Sequence, residues 1–201
     1  MLLNGFNVAV QALVDDGKVI WPDFLNEEEV RLLRAEMDAR RTRFHAAGIG
    51  REQGYVRDTG IRGDDVLWLD NDDPSLPVPV LARLEALRQI FNSELYLGVA
   101  EFEAHFAVYP SGGFYKRHLD QHRNADTRVV TFVLYLNDDW RDTDGGQLRI
   151  YLDGPQRGTW QDVTPYGGTL VLFLSDRFEH EVIPATRERR SLTGWFRRRA
   201  M

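Results

Sequence analysis

Apolar residues recur at helical spacing in the first half of the chain and alternate with polar residues in the second half. A repeat of 3.6 residues predicts amphipathic helices, and alternation predicts strands. The predicted helices cover residues 7–16, 26–43 and 79–92. Asn26 and Glu29 have the spacing of a capping box at the start of the second helix. The segment KVIWPDFL, at 18–25, is predicted to form a strand before it.

The segment between the second and third helices, residues 54–77, is dense in glycine, aspartate and proline. These residues interrupt helices and strands alike, so a loop is predicted here. A loop of this length inside a compact domain is more often functional or mobile than purely connecting.

The second half of the chain contains short segments rich in β-branched and aromatic residues, separated by turn signals such as PSGG, DTDGG and PYGG. The predicted strands cover 101–110, 114–122, 128–137, 147–153, 169–174, 180–184 and 190–198. Helices followed by about eight strands favour an α+β domain with a jelly-roll or double-sheet barrel. The helical support is predicted at 1–95 and the barrel at 96–201.

The composition favours a single globular domain over residues 1–201. Hydrophobic residues make up 43% of the chain and aromatic residues 11%, which is sufficient for one core. The net charge of −6 argues against a general nucleic-acid binder. Because the chain has no cysteine, disulfides and thiolate metal sites are excluded, and histidine and carboxylate remain as metal ligands.

No targeting or membrane segment is predicted. The N-terminal segment lacks a basic region before its short apolar run, unlike a signal peptide. No apolar run approaches the length of a membrane span. A cytoplasmic protein is therefore expected.

His118 and Asp120 are two residues apart in a predicted strand, so their side chains share one face. An H-x-D pattern is common by itself, but a second histidine, His180, begins a later predicted strand. Two histidines and one carboxylate on one face of a metal ion leave other coordination positions open, which is typical of iron(II) sites that activate dioxygen. These three residues are therefore the candidate iron ligands.

Arg189 lies nine residues after His180, directly before the last predicted strand. Alternation predicts that four residues share one face of this strand: Arg189, Ser191, Thr193 and Trp195. This face is unusually polar if it points into the barrel. An arginine in that position is unfavourable unless an anion pairs with it. The C5 carboxylate of 2-oxoglutarate is such an anion, and arginine binds carboxylates in a bidentate manner. The alternative, that this face is solvated, remains open at this point.

Two neighbouring predicted strands offer hydroxyl groups to the same carboxylate. Thr131 and Tyr135 share a face with Val133, and Tyr109 shares a face with His105. Tyrosine and threonine hydroxyls donate hydrogen bonds to carboxylates. If both faces point inward, they would complete a polar pocket beside Arg189.

Two other patterns support different interpretations. His122 is four residues after His118, so His118, Asp120 and His122 are an alternative ligand set for a cupin-like or zinc site. That set leaves His180 and Arg189 without a role, and His122 lies in a loop if the strand ends before it. The basic segments RERR and RRR suggest a nucleic-acid patch, although the acidic chain favours a solvated strand end.

Several motifs occur in the order typical of one enzyme family. They are IRGDDVLWLD (61–70), YPSGGFYKRHLD (109–120), RVVTFVLYLNDDW (128–140), GGQLRIY (145–151), LFLSDRFEHEVIPATRERR (172–190) and TGWF (193–196). The region from about Arg57 to Phe196 resembles the prolyl 4-hydroxylase branch of the 2-oxoglutarate oxygenases. It is most similar to the hypoxia-inducible-factor prolyl hydroxylases and their bacterial relatives.

This resemblance implies a double-stranded β-helix, or jelly-roll, core with N-terminal helices. It implies that His118, Asp120 and His180 bind iron and that Arg189 binds the C5 carboxylate of 2-oxoglutarate. The other residues implied in binding 2-oxoglutarate are Tyr109, Val133, Tyr135, Leu148, Val182 and Thr193.

The resemblance also implies a set of substrate-binding residues. They are Arg62, Asp64, Trp68, Tyr115, Arg128 and Trp195. The first three fall on a mobile substrate loop at about 57–73. His105 departs from the family, because relatives place an apolar side chain at its position.

The expected function is an iron(II)- and 2-oxoglutarate-dependent peptidyl-prolyl 4-hydroxylase that acts on a protein substrate. Hydroxylation would be coupled to decarboxylation of 2-oxoglutarate to succinate and carbon dioxide, with ascorbate as a further cofactor. The expected partners are a proline-containing protein or peptide and dioxygen, and the chain is expected to be a monomer without nucleic-acid or membrane partners. One alternative is a 2-oxoglutarate oxygenase that acts on an amino acid or metabolite. Another is a non-catalytic metal-binding or oxygen-sensing module.

Overall fold

The computed structural model describes residues 2–48, 58, 60–69, 78–121, 127–153 and 158–199 of the 201-residue chain. Within them, three helices lie at α1 (Leu2–Asp15), α2 (Glu27–Ala39) and α3 (Val78–Leu95). All three agree with predicted helices, although the ends of each differ from the prediction. None of these helices combines the length and the apolar character that a transmembrane span requires.

The second helix begins where the capping box predicts. The Asn26 side chain accepts a hydrogen bond from the Glu29 backbone N–H at 2.9 Å, and the Glu29 carboxylate accepts one from the Asn26 N–H at 2.9 Å. The helix then buries Val30, Leu33 and Met37. It ends at Ala39 rather than near residue 43, and a short 3-10 turn, Arg41–Arg43, follows.

Eleven strands form two antiparallel sheets in the described residues. They are β1 (Lys18–Trp21), β2 (His45–Ala46), β3 (Asp65–Leu69), β4 (Glu101–Tyr109), β5 (Tyr115–His118), β6 (Arg128–Tyr135), β7 (Leu148–Tyr151), β8 (Trp160–Val163), β9 (Leu170–Leu174), β10 (His180–Val182) and β11 (Arg189–Arg197). The larger sheet has the order β1-β9-β6-β11-β4-β3-β2, and the smaller has the order β5-β10-β7-β8. Two facing sheets behind a helical layer confirm the prediction of an α+β jelly-roll core.

Three strands were not predicted from the sequence. β2 has only two residues and pairs with β3. β3 lies inside the segment 54–77 that was predicted as a loop, and it pairs with β4 from Asp65↔Val108 to Leu69↔Ala104. β8 pairs with β7 at the edge of the smaller sheet and buries only Val163. These strands were missed because each is short and has polar neighbours, and long-range pairing decides such segments. The remainder of the predicted mobile loop falls partly outside the described residues.

The two faces of the larger sheet have separate cores. The helices pack on one face against Phe106, Phe132, Leu172 and Phe196, among other apolar residues. The other face meets the smaller sheet, where Val133, Ile150 and Phe173 belong to a second cluster. The site residues lie on this inner side, as the alternation along β11 predicted.

The segment before β3 joins the two sheets. Gly63 N–H donates to the Phe114 carbonyl at 2.9 Å, and Lys116 N–H donates to the Ile61 carbonyl at 2.8 Å. Arg62 and Tyr115 form an isolated β-bridge between these contacts. The segment 61–63 is therefore hydrogen-bonded to the edge of the smaller sheet at β5, and it continues along the chain into β3 of the larger sheet.

Candidate functional site

Three potential metal ligands converge between the sheets. His118 ends β5, His180 begins β10, and these two residues are paired in the antiparallel ladder. Asp120 follows β5 by two residues, and it lies 3.6 Å from each histidine, measured from its carboxylate oxygens to their Nε2 atoms. The candidate ligand atoms all lie within 4.8 Å of one another. A single ion can contact all three side chains at such separations.

Both imidazoles are oriented by backbone carbonyl groups. His118 Nδ1 lies 2.8 Å from the Lys116 carbonyl oxygen, and His180 Nδ1 lies 3.2 Å from that of Phe178. When Nδ1–H donates to a carbonyl, the Nε2 lone pair is available for a metal. Burial and the neighbouring His118 lower the pKa of His180 to about 4, so its ring is neutral at pH 7. The donor set therefore fits an iron(II) ion with open coordination positions.

The Asp120 carboxylate is held by residues of the larger sheet. The Thr131 hydroxyl donates to Asp120 Oδ2 at 2.7 Å, and the Ser175 hydroxyl lies 2.9 Å from the Thr131 hydroxyl. Burial acts to raise the pKa of Asp120, but the charges and hydrogen bonds of His180 and His118 outweigh it and hold that pKa well below its ordinary value. Asp120 is therefore an oriented carboxylate anion.

Arg189 is a buried cation at the start of β11, in the larger sheet. Only 1% of its surface is exposed, and its Nε donates to the Gly146 carbonyl at 2.8 Å. Among the described residues, its Nη2 has no hydrogen-bond partner. Gly146 allows the close approach, since a Cβ there would press on the Arg189 side chain and its φ is +70°. A buried guanidinium with an unpartnered Nη2 indicates a site for an anion.

Two tyrosine rings flank the guanidinium. The Arg189 Cζ atom lies 5.1 Å from the ring centres of both Tyr109 and Tyr135. The buried Tyr135 hydroxyl has no partner in the described part of the chain. Burial raises the pKa of Tyr135 to about 12, although Arg189 acts in the opposite direction, so the hydroxyl keeps its proton as a donor. Both tyrosines belong to a buried cluster that includes apolar residues from both sheets: Val133, Leu148 and Val182.

An aromatic stack leads from the surface towards Asp120. Trp68 is 45% exposed, and its ring centre lies 4.7 Å from that of His105. The His105 ring stacks on Trp195 at 5.5 Å, and the Arg128 guanidinium lies 3.5 Å from the Trp195 ring centre. His105 Nδ1 and Trp195 Nε1 are buried without hydrogen-bond partners in the described residues. Burial, with the charges of Arg62 and Arg128, lowers the pKa of His105 to about 3.

Arg62 and Asp64 form an ion pair on the other side of the site. Arg62 Nε and Nη2 donate to the two Asp64 carboxylate oxygens at 2.7 and 2.6 Å. The Arg62 guanidinium lies 4.3 Å from the Tyr115 ring centre, and Tyr115 stacks on His118 at 3.7 Å. Asp64 is 2% exposed, so its carboxylate is directed to Arg62 rather than to solvent.

The structure brings His118, Asp120 and His180 together, and it places Tyr109 and Tyr135 beside Arg189. Of the other histidines, His45 is exposed on β2, His105 is in the aromatic stack, and His122 lies outside the described residues. Sequence reasoning did not identify Ser175 or Gly146 as parts of the site. No sequence pattern indicated Ser175, because its role comes from the hydrogen bonds that connect it through Thr131 to Asp120. The GGQLRIY motif contained Gly146, but only the position of Arg189 explains it.

Comparisons with known proteins agree with this geometry. The sequence pattern of the 2OG-Fe(II) oxygenase superfamily matches residues 104–197. Human Egl nine homolog 1 is 35% identical over 143 residues, which cover 68% of this chain and 33% of the human protein. The chain thus spans about a third of the length of that relative.

Two solved structures are similar over nearly the whole chain. A Pseudomonas putida prolyl-4-hydroxylase is 43% identical with a TM-score of 0.86, and the match covers 97% of this chain and 100% of that chain. A Trichoplax adhaerens prolyl hydroxylase, solved with a peptide fragment of the oxygen degradation domain of hypoxia-inducible factor, is 28% identical. Its TM-score is 0.83, with coverage of 98% and 91%.

Proposed function

Because the chain belongs to the 2OG-Fe(II) oxygenase superfamily, we propose that it is a peptidyl-prolyl 4-hydroxylase that acts on a protein substrate. One observation carries the proposal: the described residues contain both a His118–Asp120–His180 cluster and a buried arginine, Arg189, whose Nη2 has no hydrogen-bond partner among them. The cluster can bind a metal, and the arginine can bind a co-substrate that carries a carboxylate. A protein that only binds a metal does not need such an arginine. The 43% identity to a bacterial prolyl-4-hydroxylase supports the prolyl substrate.

In this proposal His118, Asp120 and His180 bind iron(II) and leave part of its coordination sphere open. When bound, iron(II) and 2-oxoglutarate supply the activation of dioxygen, with succinate and carbon dioxide as co-products. The carbonyls of Lys116 and Phe178 keep the imidazoles in the metal-binding tautomer.

Arg189 binds the C5 carboxylate of 2-oxoglutarate through its unpaired Nη2, and Tyr135 donates its hydroxyl to the same group. Thr193 lies opposite His105 in the β11–β4 ladder and contributes a second hydroxyl to this pocket. Tyr109, Val133, Leu148 and Val182 exclude water around the co-substrate, which strengthens the carboxylate–arginine interaction.

The prolyl substrate enters over the aromatic stack. Exposed Trp68 and buried Trp195 form a stepped surface towards the metal ligands, with Arg128 against Trp195. Aromatic grooves of this kind bind proline-rich segments because the prolyl ring packs on indole faces with little loss of entropy. Arg62, Asp64 and Tyr115 form the opposite wall.

Four further expectations stay predictions: stimulation by ascorbate, a cytoplasmic location, a monomeric state and the absence of nucleic-acid partners. The first is supported by the family resemblance, and the others by the composition of the chain. Ascorbate is tested by adding it to the assay, and the monomer by light scattering.

The test measures succinate formation from 2-oxoglutarate with iron(II), in air and without oxygen. We expect oxygen-dependent turnover that is lost in His180→Ala and greatly weakened in Arg189→Ala. A synthetic peptide of the oxygen degradation domain, the kind of ligand in the Trichoplax complex, provides the prolyl probe. Peptide hydroxylation is followed by mass spectrometry.

Each outcome has a defined meaning. Turnover that survives His180→Ala would contradict the proposed ligands. Turnover that free amino acids stimulate and prolyl peptides do not would support the alternative of a small-molecule oxygenase. His45→Ala is the matched control, because His45 is exposed on β2 and should leave turnover unchanged.

A further inference from the structure

The Arg62–Asp64 ion pair is buried although no part of the proposed chemistry requires it. The Asp64 side chain is fully buried, and that of Arg62 is 14% exposed. Arg62 engages both Asp64 oxygens and also donates from Nη1 to the Gly48 carbonyl at 3.3 Å. Such bidentate pairing fixes the plane and position of a guanidinium.

The fixed guanidinium contacts one aromatic ring. Arg62 Cζ lies 4.3 Å from the centre of the Tyr115 ring, within the range of a cation–π interaction. The backbone reinforces this contact, because Arg62 and Tyr115 form a β-bridge between the Gly63–Phe114 and Lys116–Ile61 hydrogen bonds. The position of Tyr115 is thus fixed by backbone hydrogen bonds on either side of it and by the contact of its ring with Arg62.

The Tyr115 ring in turn contacts one of the candidate metal ligands, His118. The Tyr115 and His118 rings are 3.7 Å apart and nearly parallel, with an angle of 18° between their planes. The His118 Nδ1 contact to the Lys116 carbonyl fixes the ring in its plane, and the Tyr115 stack fixes the tilt of that plane. Both constraints together determine where His118 Nε2 points.

We propose that the Arg62–Asp64 ion pair is a positioning unit for His118, which acts by holding the Tyr115 ring against the ligand imidazole. The inference rests on the proposed function, in which His118 binds the metal. It gives Arg62 and Asp64 a role in metal-site geometry in addition to their place in the wall of the substrate site. Residues that orient a metal ligand typically change metal affinity by about 10- to 100-fold when they are mutated.

The test uses Co(II), whose visible absorption reports the geometry of histidine and carboxylate sites, titrated into the metal-free full chain. Asp64→Asn keeps the side-chain shape but removes the charge, and we expect about tenfold weaker Co(II) binding with a shifted absorption band. Tyr115→Leu should have the same effect. Tyr115→Phe keeps the stacked ring and should stay within about twofold of wild type, because only the hydroxyl is lost.

A second ion pair of the same geometry provides the control. Arg149 donates to both Asp162 oxygens at 2.8 Å, and its guanidinium lies 4.5 Å from the Trp160 ring centre. Arg149 and Asp162 lie opposite each other on β7 and β8, and Trp160 stacks on no metal ligand in the described residues. Asp162→Asn should therefore leave Co(II) affinity and spectrum unchanged.

A double mutant tests the route of the effect. If Asp64 acts through Tyr115, Asp64→Asn should weaken Co(II) binding by less than about twofold in the Tyr115→Leu background. Independent tenfold losses would overturn the proposed route, and wild-type affinity and spectrum in Asp64→Asn would overturn the role itself. If Asp64→Asn does not fold, as judged by circular dichroism, the Tyr115→Leu and Tyr115→Phe pair decides by the same criteria.

Failure of the proposed function would give a different experimental result from failure of the positioning role. A wild-type chain that binds no Co(II), and forms no succinate with iron(II), would remove the metal site and this inference together. A wild-type chain that binds Co(II) and turns over, with an Asp64→Asn variant that binds equally well, would remove only the positioning role.

Discussion

At the scale of single residues, the site is defined by buried polar atoms that have no partner within the described chain. Arg189 Nη2, Tyr135 Oη and His105 Nδ1 are all in this state. Leaving such groups unpaired in the folded protein is unfavourable by about 1–3 kcal/mol each. Arg189 and Tyr135 lie side by side and indicate a pocket for a polar ligand, whereas His105 lies in the separate aromatic stack with Trp68 and Trp195.

Tyr135→Phe tests this interpretation. Because the hydroxyl has no partner without a ligand, the variant should be at least as stable as wild type in the absence of 2-oxoglutarate. The KM for 2-oxoglutarate should rise about 10- to 100-fold, the effect of one hydrogen bond to a charged group. Steady-state succinate assays and thermal melting measure both quantities.

Tyr151→Phe is the control for that comparison. Its hydroxyl donates to Glu181 at 2.6 Å, away from Arg189, so removing it should not change the KM for 2-oxoglutarate. An unchanged KM in Tyr135→Phe would argue against its contact with the co-substrate.

His105 makes stability depend on pH. Its pKa is near 6.5 in the unfolded chain and about 3 in the folded one, because burial disfavours the charged ring. The unfolded state binds the proton first, so this contribution to stability is complete above pH 6.5 and is lost as pH falls towards 3. We expect His105→Phe to reduce the slope of stability against pH between 6 and 4 by up to about 1.4 kcal/mol per pH unit.

Urea denaturation of the metal-free protein at several pH values measures this slope. His45→Phe is the comparison, since His45 is exposed on β2 and should leave the slope unaltered. Equal slopes in wild type and His105→Phe would show that the folded protein protonates His105 normally.

At the scale of elements, β11 organises the molecule. It pairs with β4 along its whole length and with β6 from Ser191 to Arg197, so it lies at the centre of the larger sheet. One face carries Arg189 and Trp195 towards the site, and the other carries Leu192 and Phe196 towards the helices. A shift of one residue in this register would exchange the two faces and remove the co-substrate arginine from the pocket.

At Gly194, β11 packs closely against the neighbouring residues Glu103 and Phe132. A Cβ there would overlap the Glu103 carbonyl oxygen and the Phe132 ring. Gly194→Ala should therefore lower the free energy of unfolding by about 1–3 kcal/mol, the usual effect of overpacking. Chemical denaturation measures it, with Gly158→Ala as the control because its Cβ would meet only Trp160 at 3.8 Å. Equal stability in both variants would contradict the packing argument.

At the scale of the whole molecule, the candidate metal centre connects the two sheets. His118 and His180 belong to the smaller sheet, while Asp120 is held through Thr131 of the larger one. A ligand that binds only the folded state stabilises it in proportion to the logarithm of its concentration. A bound metal should therefore stabilise the domain as a unit.

Metal removal tests this connection. Treatment with a chelator should lower the Tm by several degrees and abolish 2-oxoglutarate turnover, and iron(II) should restore both. In His180→Ala the Tm should no longer respond to metal. Differential scanning calorimetry under anaerobic conditions makes the measurement, and a wild-type Tm insensitive to chelator would contradict a resident metal.

The local pattern of the sequence determined the elements and one face of each. The capping box located the start of α2, and alternation along β11 placed Arg189 and Trp195 on one side. These features depend on neighbours within a few residues, where side-chain geometry is set by the period of the element. The family motifs added the ligand set, since His118 and His180 are 62 positions apart and no local rule connects them.

Only the tertiary structure decided what depends on contacts between distant segments. β3 forms inside a segment with loop composition because β4 offers it a paired edge, and Asp64 becomes buried because Arg62 neutralises it there. Ser175 joins the site through Thr131, and Tyr115 reaches His118 across a ring stack. Such relations arise from long-range pairing and from the low polarity of the interior, which amplifies each charge and hydrogen bond.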